Sequence, residues 1–223
     1  MKAAFTTKKK MNCLYRFVLW FSWCFLRLFF RLRIYGQEHY YDGAGVIAAN
    51  HASYLDPVIL SAAWPEEVHF LAKEPLFKIF FFGWLIRKLN SHPLKGSAND
   101  FGVIRQICGL LNKGKKVVLF PEGQRSLDDK LLPIKPGIAL LVSKTNSAII
   151  PTYIFGTFEA WPSNKRVPCF GKKIGCVFGS PIKWTTFAHL EKREAQEALA
   201  KTLTDAIHAL KIWYESGAEG SPP

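Results

Sequence analysis

Two short stretches of the chain combine residue types that packing alone does not ask for. In AsnHisAlaSerTyrLeuAsp, residues 50–56, His51 and Asp56 stand five apart and Pro57 follows. A turning connection there lets Asp56 fold back onto one imidazole nitrogen. The carboxylate would fix the tautomer, leave the other nitrogen as a base and stabilise the imidazolium once it forms. The ordinary alternative is that Asp56 caps a helix and His51 is a satisfied loop histidine. In PheProGluGlyGlnArgSer, residues 120–126, Gly123 lets backbone approach a ligand closely, and Arg125 with exposed N–H groups suits a phosphate. Glu122 fits two roles, ordering Arg125 or accepting a hydrogen bond from a substrate hydroxyl. A plain Pro-Glu-Gly turn with a solvated Arg125 fits the same letters.

The elements around these stretches say where they sit. Apolar runs at 46–49 and 116–120 read as buried strands that end where each stretch begins. Further strands are expected at 68–72, 148–155 and 174–178. Helices are expected at 57–64, 76–89, 98–111, 137–144 and 190–214, the last with Leu199, Leu203, Ile207, Leu210 and Tyr214 at helical spacing. Strands separated by helices predict an α/β fold with a mostly parallel sheet flanked by helices. Function then gathers at strand ends, where both stretches lie.

Composition narrows the partner. The chain has 223 residues and a net charge of +13, and residues 1–36 hold eight Lys or Arg with no acid. An anionic partner is implied, but the charge is interleaved with Trp and Phe on a greasy segment, and no nucleic-acid module is present. From 14 to 30 the chain is apolar almost all round, yet its longest uncharged run, 17–26, is ten residues. As helix that is about 15 Å, short of the roughly 20 residues of a full span. Arginines flank it at both ends, which places both on the cytoplasmic face and suits a monotopic anchor better than a span. Five scattered cysteines have no disulfide or metal-ligand spacing, so neither a disulfide framework nor a metal site is expected. The expected organisation is an anchoring segment at 1–35, one domain at 36–215 and a disordered tail at 216–223.

Taken together, a base with its orienting carboxylate, a phosphate-sized cationic loop and a greasy basic anchor suit one task. The base would activate an alcohol on a phosphorylated amphiphile held at a membrane surface. The chain has no GxSxG elbow, Cys/His pair of known spacing, P-loop or GxGxxG, which favours direct attack by the alcohol over a covalent enzyme intermediate.

These residues also carry a resemblance. NHASYLD and FPEGQRS resemble the first and third blocks of the lysophosphatidate (1-acylglycerol-3-phosphate) acyltransferase family, about seventy residues apart as in that family. AlaLysGluProLeuPhe at 72–77 and IleIleProThrTyrIle at 149–154 are similar to two further blocks, and the likeness covers roughly 35–185. It implies acyl transfer from a thioester of acyl carrier protein or coenzyme A, a co-substrate and not a cofactor, to the sn-2 hydroxyl of lysophosphatidic acid. It also implies that His51 is the general base held by Asp56. Arg125, Lys73 and the backbone at Gly123 would bind the phosphate, and Glu122 would order that pocket. Residues 76–89 would line an acyl channel, lie against the bilayer or serve as a core helix. The basic N-terminus would attract anionic phospholipid. The second block departs from the family: HisProLeuLysGly at 92–96 puts Gly96 where an arginine is usual, and Lys95 would supply charge without arginine's planar fork. Gln124 replaces a commoner threonine. The alternatives are a relative that acylates glycerol 3-phosphate or another lysophospholipid, or a non-catalytic module that binds anionic membranes.

Overall fold

The apolar runs of the sequence meet in one seven-stranded sheet. The computed structural model describes residues 11–94, 101–135 and 137–223. In chain order its elements are α1 (Cys13–Phe30), β1 (Arg33–Tyr35), β2 (Gly45–Ala49), α2 (Asp56–Ala63), β3 (Val68–Lys73), α3 (Phe80–Lys88) and β4 (Ser91–Leu94). Then come α4 (Phe101–Asn112), β5 (Lys116–Leu119), α5 (Gly137–Thr145), β6 (Ala148–Phe155), α6 (Thr157–Ala160), β7 (Gly175–Phe178) and α7 (Lys192–Glu215). The strand order is β1-β7-β6-β2-β5-β3-β4. From β6 to β4 all neighbours are parallel, and only the β6–β7 pairing is antiparallel.

Helices cover both faces, which is why every residue of β2 and β6 is buried. Alternation along β2 sends Val46 and Ala48 into a core with α4, α5 and α7, and Ile47 and Ala49 into a second core with α1 and α2. From β2 the chain crosses through α2 to β3, beyond β5; from β5 it returns past β2 to β6. The carboxyl ends of β2 and β5 therefore lie side by side where the winding reverses, with Ala48 opposite Leu119. Open sheets bind ligands at such a point.

Several expectations are corrected. The helix expected at 76–89 is two pieces, a 3-10 turn at Glu74–Lys78 and α3, separated by extended Ile79. Gly83 is the reason: a Cβ there would stand 2.3 Å from the carbonyl oxygen of Phe77, so only glycine lets α3 close on the turn. β1 and β4 were too short to signal as strands, and Pro93 within β4 fits because β4 is an edge. The start of the helix expected at 98–111 lies outside the described residues, and α4 is described from Phe101 to Asn112. Residues 216–223, expected to be disordered, instead fold back. The Ser180 N–H donates to Pro223 O at 3.1 Å, and His39 Nε2 lies 3.0 Å from Pro222 O.

Candidate active site

β2 ends at Ala49, and Asn50 holds that end rigid. Its amide donates to Ile154 O at 2.9 Å and accepts from Ile154 N–H at 2.7 Å, tying the start of the loop to β6. His51 follows at once. The chain then turns, and Asp56 opens α2 with Pro57 in its first turn. Asp56 does not cap that helix. It reaches backwards, where one oxygen, Oδ2, accepts from Ala52 N–H at 2.8 Å, Ser53 N–H at 2.8 Å and His51 Nδ1–H at 2.7 Å.

Asp56 is fully buried, whereas the His51 ring keeps 13% of its surface open. With Nδ1–H given to the carboxylate, the lone pair sits on Nε2, and nothing among the described residues bonds that nitrogen. The ring also stacks on Phe120, centroids 3.9 Å apart and planes 13° off parallel. Phe120 ends the run after β5, so the β2–β5 pairing brings the two sequence stretches into contact. A backbone bond from Ser126 N–H to His51 O, 2.7 Å, fastens them.

In the second stretch Gly123 has φ +76, and its N–H donates to Phe120 O at 2.9 Å. Arg125 lays its guanidinium over the Tyr54 ring, 4.2 Å from the centroid, and its Nε has no hydrogen-bond partner among the described residues. Tyr54 belongs to the His51 loop, so a cation is held flat on the loop that carries the imidazole, with donor capacity left over. Lys73 stands exposed at the carboxyl end of β3, on the same edge. It lies two strands from β2, roughly 10 Å, and no ion pair or hydrogen bond among the described residues joins it to the other site residues. Lys95 and Gly96 lie outside the described residues.

Residues 31–155, more than half of the chain, match the family model described as Acyltransferase. The chain belongs to this family. The matched span holds both loops and the strand ends that carry them.

Among relatives, the acyltransferase is 26% identical over 182 residues to a 1-acyl-sn-glycerol-3-phosphate acyltransferase of Bacillus subtilis, covering 81% of this chain and 88% of that one. It is 31% identical over 179 residues to a chloroplastic protein of the same name from Arabidopsis thaliana, covering 78% of this chain and 50% of the relative. It thus spans nearly all of the bacterial relative and half the length of the plant one. The crystal structure of the Thermotoga maritima 1-acyl-sn-glycerophosphate acyltransferase shares its fold, with a TM-score of 0.67 at 24% identity over 86% of this chain and 78% of that one.

Among the described residues no ion pair or hydrogen bond joins Glu122 of the acyltransferase to Arg125. Its carboxylate is buried near the backbone of Leu132 and His51, and Oε2 has no hydrogen-bond partner among the described residues. Burial raises its pKa to about 7; the nearby backbone of Leu132 and His51 pulls the other way, and the nearby Asp56 charge adds to the rise. The folded protein therefore holds a proton on Glu122 that the unfolded chain gives up. That contribution to stability is complete below about pH 4.5 and fades as pH rises through about 7, a loss of roughly 3 kcal/mol. Melting of Glu122→Gln against pH is expected to lack that part of the wild-type decline between about pH 4.5 and 7. Parallel curves for the two proteins would reject the shifted carboxyl.

Three partners were not legible in the sequence: Phe120 under His51, Tyr54 under Arg125, and Lys135. Lys135 Nζ lies 2.6 Å from where a Cβ on Gly123 would stand, while its N–H donates to Pro121 O at 3.0 Å. The available signal was an aromatic residue two positions before a carboxylate in each stretch, Phe120 before Glu122 and Tyr54 before Asp56.

Proposed function

We propose that the protein transfers a fatty acyl group from a thioester to the sn-2 hydroxyl of 1-acylglycerol 3-phosphate, giving phosphatidic acid and a free thiol. Nε2 of His51 takes the hydroxyl proton as the oxygen attacks the thioester carbonyl. The tetrahedral intermediate then collapses, the carbon–sulfur bond breaks, and the imidazolium returns the proton to the leaving thiolate. Asp56 holds the ring and balances its transient charge. Arg125, Lys73 and backbone at Gly123 bind the acceptor phosphate, and Glu122 orders the loop from behind through the His51 backbone.

The observation that carries this reading is the His51–Asp56 pair with Nε2 free, one fastened loop away from a stacked, under-used guanidinium. The relatives' names support the same acceptor.

The reaction sits at a membrane surface, on the cytoplasmic face. α1 is long and apolar enough to cross a membrane, but it is held along the domain at both ends. Near its start Tyr15 Oη bonds the backbone of Val68, and at its end Phe29 O and Phe30 O accept from Gly171 N–H and Ile174 N–H. A helix of 18 residues, about 27 Å, cannot be fixed at both ends to one water-exposed domain and also span the bilayer. This supports a monotopic anchor whose exposed Phe17, Trp20 and Phe21 sit among lipids while Arg16 and Arg27 reach phosphate.

The test is product formation by purified protein with acyl carrier protein and coenzyme A thioesters, offered lysophosphatidic acid, glycerol 3-phosphate and lysophosphatidylcholine. Lysophosphatidic acid is expected to be acylated at least about tenfold faster than the others, since only it combines an acyl chain with a phosphate monoester. Preference for the zwitterionic acceptor would remove Arg125 from the role given it.

A further inference from the structure

The β3–β4 connection exposes more aromatic surface than the reaction accounts for. Phe80 is 95% exposed and Phe81 68%, and Ile79, Phe82 and Trp84 beside them are also exposed. The local fold holds them out. α3 closes onto the preceding turn at Gly83, whose N–H donates to Ile79 O at 2.6 Å, and the residue this buries is Phe77. Arg87 then covers the Phe77 ring at 5.1 Å. With Phe77 and Gly83 turned inward, α3 has no further inward face for its remaining aromatics. An exposed apolar patch of this kind marks a contact surface.

Its rim identifies the occupant. Lys78, Arg87 and Lys88 border the patch, and Glu74 is the one acid from 74 to 94. A second copy would bring the same cations, on a chain of net charge +13, face to face. An anionic bilayer offers the complement to both parts, acyl chains for the rings and headgroup phosphates for the cations. The patch also shares a corner with α1. The two oxygens of Glu67 accept from Asn12 N–H, at the start of α1, at 2.7 Å and from the Asn90 side chain, just after α3, at 3.1 Å.

We propose that α3 and the turn before it form a second bilayer-contact element, seated at the headgroup–acyl boundary of anionic membranes beside α1. The inference rests on the proposed membrane-surface reaction for its purpose, but binding is read without turnover. Full-length protein is floated with vesicles of phosphatidylcholine alone or mixed with phosphatidylglycerol. Phe80→Ser with Phe81→Ser is expected to cut partitioning at least about tenfold with an unchanged melting temperature. Lys78→Glu with Lys88→Glu is expected to weaken binding to mixed vesicles only. Turnover of a water-soluble short-chain acceptor should stay within about twofold in both. Undiminished partitioning of both doubles overturns the proposal. So does unchanged partitioning with lost short-chain turnover, which makes the patch an acyl channel, or with altered self-association, which makes it a dimer face. If the wild type acylates nothing while partitioning still falls as expected, the reaction is wrong and this surface stands.

Discussion

His51→Ala is expected to lower kcat for phosphatidic acid formation by about a thousandfold, within the 10²–10⁴ that a positioned base contributes. The protein should still fold, because the Asp56 carboxylate keeps the Ala52 and Ser53 N–H donors when the imidazole is gone. The KM for either substrate should change little, since the ring is assigned to the transition state and not to uniform binding. Asp56→Asn separates the two members of the pair. An amide oxygen placed there can still accept all three N–H groups that Oδ2 accepts, but it brings no charge, and its NH2 falls where Asp56 Oδ1 has no partner among the described residues. The imidazolium that forms as the hydroxyl proton is taken is then unbalanced, so the proposed base is weakened while the histidine remains. Its kcat is expected to fall by at least about a hundredfold. Phosphorus NMR of the product, with melting curves beside it, checks both variants. Wild-type turnover by a folded His51→Ala protein would falsify the base assignment.

The second large effect concerns the acceptor. In the proposed site, Arg125→Ala would remove charge-assisted hydrogen bonds to phosphate that are worth roughly 2–3 kcal/mol, so the KM for lysophosphatidic acid is expected to rise by about a hundredfold. Arg125→Lys should recover only part of this. The guanidinium lies flat on Tyr54, 4.2 Å away, and presents a fork, whereas an ammonium is a point charge that neither stacks nor binds in two-pronged fashion. Because the phosphate does not react, the interaction is the same in the ground and transition states, and kcat should move less than KM. Initial rates over a matrix of both substrates decide the matter. If the donor KM rises while that of the acceptor stays put, Arg125 serves the phosphates of the donor instead.

What the sequence could determine was what lies within a few residues along the chain. The five-residue spacing of His51 and Asp56 is closed by a turn of three N–H···Oδ2 bonds, all made between residues 51 and 56, so the pair could be read before any fold was known. The alternation of fully apolar runs with helical stretches gave the mostly parallel sheet for the same reason: burial on both faces leaves its mark on each strand separately. Strand order has no such local mark. That Phe120 lies under His51, that Ser126 ties to the His51 carbonyl and that Tyr54 supports Arg125 all follow from β2 and β5 being neighbours, a choice made by how the whole sheet buries its area. Glu122 shows the difference most clearly. Its letters suited ordering Arg125 or accepting from a substrate hydroxyl, whereas the fold buries the carboxylate near the His51 backbone, where burial raises its pKa to about 7. Along 76–89 a very apolar stretch looked like one helix. The approach of Gly83 to Phe77 broke it in two and turned the remaining rings outward, because the cost of a Cβ at 2.3 Å from a carbonyl oxygen exists only once the two segments meet. Local bonds and burial patterns are written residue by residue, whereas neighbours far apart in sequence are chosen only when the chain closes on itself.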